Sequence, residues 1–245
     1  MLVKYKTYIA IDDTDEIGYT KSTGMLAENI VEFINERFCE CSFISRHQLL
    51  IYERVNYTSH NSSMCFSAYL NEVQRDEVIK FAQAFLIKES APSSEPGIAV
   101  AFEKDILNLN SLIEFCKRAK VEFITKDEAY DEAKRQNIYL KELKNEGRGS
   151  IGALAGIALR LSRNDGRIKG KIRLQKDEMS VQELLNLGFI DEILDENFKQ
   201  VDKDEIILTG FDLTLIVRNF RAVLIVKRNK NGKFKAYDIK DLRGF

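Results

Sequence analysis

An α/β fold followed by a smaller β-rich region is what this sequence predicts, and three observations carry the prediction. Strand-like apolar runs in the first two thirds alternate with helical patterns, the order that builds a sheet flanked by helices. After Arg163 the helical pieces shorten and strand-like runs cluster. The 245 residues, 44% hydrophobic and 31% charged, suffice for a sizeable core in one large or two small domains. A soft boundary is expected near residue 165, dividing 1–165 from 166–245.

Residues 7–11 read as a short buried strand, rich in β-formers, that ends at a run of aspartates. A helix is expected over 22–37, where Met25, Leu26, Ile30, Phe33 and Ile34 are spaced for one apolar face. Strands follow at 43–53 and 64–70, separated by a polar loop. Then come a helix at 75–87, the loop SAPSSEPG and a strand at 98–102. Helices at 111–120 and 126–137 enclose VEFI, read as a strand. The glycine-punctuated stretch EGRGSIGALAGIALRLS then runs into an apolar helix. In the last third, short helices are expected at 181–187 and 190–194. Strands are expected at 205–208, 213–219, 222–228 and 234–239, with NKNG as the hairpin turn before the last.

The totals exclude several classes. With a net charge of −1 and a pI near 6.2, no global positive field points to nucleic acid. The four cysteines, Cys39, Cys41, Cys65 and Cys116, supply no second pair for a zinc pattern and read as reduced thiols. Lys4, Lys6 and Asp12 interrupt any signal-peptide core, and no stretch approaches a membrane span. A cytoplasmic protein without a membrane partner is expected.

IAIDDTDEIGYTKSTG, residues 9–24, crowds three carboxylates at a strand end, which costs free energy unless a cation or donors compensate. Strand ends of α/β sheets are where ligands bind. Alternation along an extended chain would point Asp13 and Asp15 one way and Asp12 the other. Asp13 and Asp15 are therefore the candidate metal ligands, helped by Thr14, since magnesium takes one or two carboxylates plus substrate phosphates. Lys21, Ser22 and Thr23 precede a helix whose N-terminal N–H groups suit phosphate, although capping by Ser22 or Thr23 alone explains them too. In TSHNSS, Thr58, His60 and Asn61 offer polar groups from a loop. Ser94 and Gly97 lie in the turn SSEPG. Gly147 and Gly149 permit a tight bend, Arg148 suits a phosphate, and Ser150 is placed to cap the next helix. Gly152 and its small neighbours make that helix thin-walled.

Taken together, IDDTD, a threonine before a helix, T-x-x-N, S-x-P-G and G-x-IGALAGI resemble, in that order, the archaeal agmatinylcytidine synthetases, which modify the anticodon of an isoleucine tRNA. The resemblance covers roughly residues 8–160, corresponding to the kinase-like domain of that family. It implies a mixed sheet with flanking helices and an ATP- and magnesium-dependent phosphotransferase or ligase. It gives Asp12, Asp13, Thr14 and Asp15 metal and phosphate chemistry, and Thr23 phosphate handling. Asp12, Asp13, Asp15 and Thr23 become the catalytic candidates; Thr14, Lys21, Ser22, Arg148, Gly149 and Gly152 the phosphate-binding ones; Thr58, His60, Asn61, Ser94 and Gly97 the acceptor-binding ones. ATP and Mg2+ are the implied cofactors, a nucleotide and a small-molecule acceptor the implied partners. Departures are that no CxxC pairs build a zinc ribbon, no OB-fold fits, and residues 166–245 match a ferredoxin-like domain poorly. Binding to tRNA is accordingly expected to be weak without a partner protein, and the sequence is compatible with an oligomer. A non-catalytic ATP-binding sensor or subunit, and tRNA modification with a partner, stay open.

Overall fold

The computed structural model of the chain describes residues 2–52 and 61–242. It divides into two compact units, Met1–Ser162 and Arg163–Phe245.

The first unit runs β1 (Tyr5–Asp12), α1 (Thr23–Arg37), β2 (Ser45–Gln48), β3 (Ser62–Leu70), α2 (Glu72–Glu89), β4 (Gly97–Phe102), α3 (Leu109–Val121), α4 (Lys126–Arg135), β5 (Tyr139–Glu142) and α5 (Gly149–Leu161). Its strands pair antiparallel in the order β5-β4-β1-β3-β2. Alternation along β1 sorts the core. Ile9 and Ile11 face α1 and α2 together with Phe66, Ile98 and Val100. Tyr8 and Ala10 face α5 and α3 together with Cys65, Ala99 and Ala101. The sheet is thus covered by helices on both faces. The α5 face is lined with alanines, which lets that helix come close: a Cβ on Gly156 would lie 3.3 Å from the Ala10 Cβ.

Local capping explains the helix limits. Asn71 and Gln74 form a reciprocal capping box, so α2 begins three residues before the expected start. The expected strand in VEFI does not form. The Glu122 N–H still bonds to the Arg118 carbonyl at the end of α3, and Thr125 caps α4 in a box with Glu128. The four residues are consumed by two helix ends. Among the described residues the strand expected at 43–53 is limited to Ser45–Gln48, and β5 has no counterpart in the sequence reading.

The second unit contains β6 (Arg167–Ile168), β7 (Ile172–Arg173), β8 (Glu178–Ser180), α6 (Val181–Leu185), β9 (Glu192–Asp195), β10 (Ile206–Leu208), β11 (Asp212–Leu213), β12 (Ile216–Arg218), β13 (Arg221–Arg228) and β14 (Phe234–Ala236). Here parallel pairs (β9 with β13, β10 with β14) join antiparallel ones, which makes the fold's strand pairing mixed. The expected helix at 190–194 is instead β9. There Glu192–Asp195 gain a full ladder against Val223–Val226. The single strand expected at 213–219 is split, because β11 pairs with β7 and β12 with β13. Among the described residues no helix is long and apolar enough to cross a membrane, and all four cysteines are free thiols.

Candidate active site

Asp12, the last residue of β1, pairs with Gly97, the first of β4, and α5 begins directly over this pair. Glycine is required for that approach. A Cβ on Gly97 would lie 2.1 Å from the Ser150 backbone nitrogen, one on Gly149 2.6 Å from the Asp12 carbonyl oxygen, and one on Gly152 1.7 Å from Asp12 Oδ2. Gly147 supplies the preceding bend with φ +64°. The glycines that marked this stretch in the sequence therefore bring a helix N-terminus onto a strand end, more than 130 residues away along the chain.

The aspartates distribute differently from the alternation expected of them. Asp13 adopts φ +53°, so the extended run ends there and alternation no longer holds. Asp12 and Asp13 both face one cleft. Asp15 turns to the start of α1, where it accepts from the Thr23 N–H at 3.3 Å. Asp12 is buried, and its carboxyl is pushed well above the usual range by burial and then by the charge of Asp13. The carboxyl of Asp13 is raised to about 7 by burial first, then by Glu95 and Asp15.

The cleft encloses about 700 Å³, its open mouth included. One wall is acidic: Asp12, Asp13 and Glu95. Arg148, Gly149 and Gly152 bring the start of α5 to it, and Asn61 stands at its edge. Much of the remaining lining is apolar, from Leu49, Leu50, Phe123 and Ile124, with Glu122 beside Phe123. A site with anion donors, cation ligands and an apolar slot can hold a phosphorylated molecule that also carries a planar or apolar group.

The remaining sequence candidates lie in different surroundings. Asn61, Arg148, Gly149 and Gly152 line the cleft together with Asp12 and Asp13, and Gly97 lies beneath it. Others are engaged in holding the fold. Ser22 is the N-cap of α1 and accepts from the Met25 N–H; Lys21 is ion-paired with Glu89; the Ser94 hydroxyl donates to the Ala91 carbonyl. Thr14 is fully buried with its hydroxyl unpartnered among the described residues, and the side chain of Thr23 is buried at the start of α1. Thr58 and His60 lie outside the described residues. Ser150 does not cap α5: Arg148 occupies the cap position, and the Ser150 hydroxyl is buried without a partner among the described residues. Glu95 went unnoticed in the sequence, being the variable position of S-x-P-G, and only the fold brings it to Asp13 and Arg148.

Among the described residues no group of three His, Cys, Asp or Glu side chains forms a metal cage. The donor set still fits magnesium, which keeps waters and takes only one or two protein carboxylates beside substrate phosphates. Asp12 and Asp13, crowded and desolvated, are the pair that a cation would relieve. In the second unit Arg221 pairs with Glu192, Lys227 with Asp241, Arg228 with Glu205 and Lys233 with Glu178.

No family model and no curated protein matches the chain. Solved structures do. The complex of TiaS with an isoleucine tRNA and ATP aligns at a TM-score of 0.57 and 20% identity, over 76% of this chain and 44% of that one. The TiaS complex with the tRNA, AMPCPP and agmatine gives 0.53 at 19% identity, over 74% and 44%. Apo TiaS, a tRNA agmatidine synthetase, gives 0.51 at 21% identity, over 62% and 35%. The chain spans less than half the length of each structure. The resemblance read from the motifs therefore extends to the fold.

Proposed function

We propose that the chain is an ATP- and magnesium-dependent phosphotransferase or ligase-type enzyme that acts on a small-molecule or nucleotide acceptor. The observation that carries this reading is the single cleft shared by Asp12, Asp13 and the glycine-rich start of α5. Phosphoryl transfer demands positioning and charge neutralisation rather than covalent help from the protein. Asp12 and Asp13 would hold the metal. The first turn of α5, with Arg148, would face the phosphates from the side away from it. Bound there, magnesium would neutralise phosphate charge and hold the transferring group in line.

The other residues have supporting roles. Gly149 and Gly152 keep the helix start free of side chains, so a phosphate can approach backbone. Phe123 and Ile124 offer the apolar face that a nucleobase needs, and Asn61 stands at the edge of the same cleft for the acceptor. Asp15 acts through the fold, steadying α1 by its bond to Thr23.

Calorimetric titration with ATP tests the reading. ATP is expected to bind in the micromolar range with magnesium present and at least about tenfold more weakly in EDTA, a difference of about 1.4 kcal/mol. Equal affinity with and without magnesium would remove the metal from the account.

A further inference from the structure

Glu95 adjoins Asp13, Arg148 and Gly149 in the proposed phosphate site. Its charge acts on the Asp13 carboxyl, and its carbonyl accepts from the Gly149 N–H at 2.9 Å. Its side-chain Oε2 accepts from the Arg148 N–H at 3.2 Å and lies 3.7 Å from Arg148 Nε. The side chain is only 14% exposed, while that of Arg148 is 47% exposed. A carboxylate thus sits on the same backbone N–H and the same guanidinium that an incoming phosphate would use, inside the cleft rather than on its rim.

We propose that the Glu95 carboxylate is an internal stand-in for phosphate: it occupies the Arg148 N–H at the start of α5 while the cleft is empty, beside the closer pairing of the Arg148 guanidinium with Glu146, and a nucleotide phosphate displaces it. This rests on the nucleotide-binding reading above. Among the described residues four carboxylates line the cleft; Asp12 and Asp13 would be compensated by a bound metal, and Glu122 is paired with Arg118. Glu95 lies beside Asp13 and on the Arg148 N–H, where its charge repels a triphosphate until it swings away. Oriented donors aimed at a carboxylate or at a phosphate oxygen meet the same acceptor chemistry, so the exchange needs no rebuilding of the helix start. The consequence is selective for charge. Phosphate-bearing ligands compete with Glu95, and a nucleoside lacking phosphate does not.

The test compares wild type with Glu95→Gln, which keeps an acceptor oxygen for the Arg148 N–H and removes the charge. ATP and adenosine are titrated into both, in EDTA and in magnesium, after matching thermal melts establish that the variant is folded. The expected result is ATP binding roughly tenfold tighter in Glu95→Gln, most clearly in EDTA, with adenosine unchanged. A merely structural role would move both ligands together. Unchanged or weaker ATP binding in the variant, or equal shifts for ATP and adenosine, overturns the stand-in. If neither protein binds ATP under any condition, the nucleotide-binding reading fails, and the stand-in with it. Should Glu95→Gln not fold, Glu95→Ala replaces it in the same titrations: tighter ATP with unchanged adenosine supports the stand-in, and any other pattern overturns it.

Discussion

Gly97→Ala is expected to destabilise the first unit by about 3 kcal/mol or more, a large effect for a single methyl group. The added Cβ would lie 2.1 Å from the Ser150 nitrogen, 2.3 Å from the Gly149 carbonyl carbon and 2.4 Å from the Ser150 Cα. All three are backbone atoms, so no side chain can turn aside. Overpacking a core typically costs about 1–3 kcal/mol where neighbours can adjust, and here the adjustment must move a helix or a central strand. Gly97 is paired with Asp12 in the ladder, and α5 is buried almost along its whole length against the sheet. Neither element can shift without opening the core. A midpoint lowered by roughly 6–12 °C is expected in thermal unfolding. A variant melting within a degree of wild type would show that α5 does not press on the strand end as described, and the cleft built from that contact would lose its floor.

Asp13→Asn is expected to lower magnesium-dependent ATP affinity by about a hundredfold, about 2.7 kcal/mol, whereas Asp15→Asn should change it less than about threefold. The two residues lie two positions apart, yet only Asp13 faces the cleft. An amide in place of Asp13 preserves shape but removes the charge that would pair with the metal. The same exchange should raise stability when metal is absent. Burial and the neighbouring Glu95 and Asp15 push the Asp13 carboxyl up to about 7. A carboxyl raised in the folded state is one whose ionisation opposes folding, and the opposition grows as pH climbs from the ordinary aspartate value through about 7. Melting in EDTA near pH 7.5 should therefore show Asp13→Asn no less stable than wild type. Asp15→Asn keeps an acceptor for the Thr23 N–H but loses charge at the start of α1, a cost on the order of 0.5–1 kcal/mol. Equal loss of ATP affinity in both variants would return Asp15 to the metal and contradict the geometry.

The sequence made some of this legible for identifiable reasons. Glycines, strand-forming runs and capping residues act locally, so β1, α1, β4 and α5 lie where pattern placed them. What could not be read depended on distant partners. Whether 190–194 becomes a strand is decided by Val223–Val226, and whether 121–124 becomes one is decided by the helix ends on either side. The orientation of Asp13 turns on one positive φ, which no periodicity announces. Glu95 carries no motif of its own. It matters because the turn that contains it folds against Arg148 and Asp13.

A crystal structure of the chain with magnesium and a non-hydrolysable ATP analogue tests the central claim most directly. The phosphates are predicted to lie between Asp13 and the N-terminal turn of α5, with the metal on Asp12 and Asp13 and the base against Phe123 and Ile124. An analogue bound with its phosphates elsewhere, leaving Asp13 and Gly149 facing solvent, would contradict it.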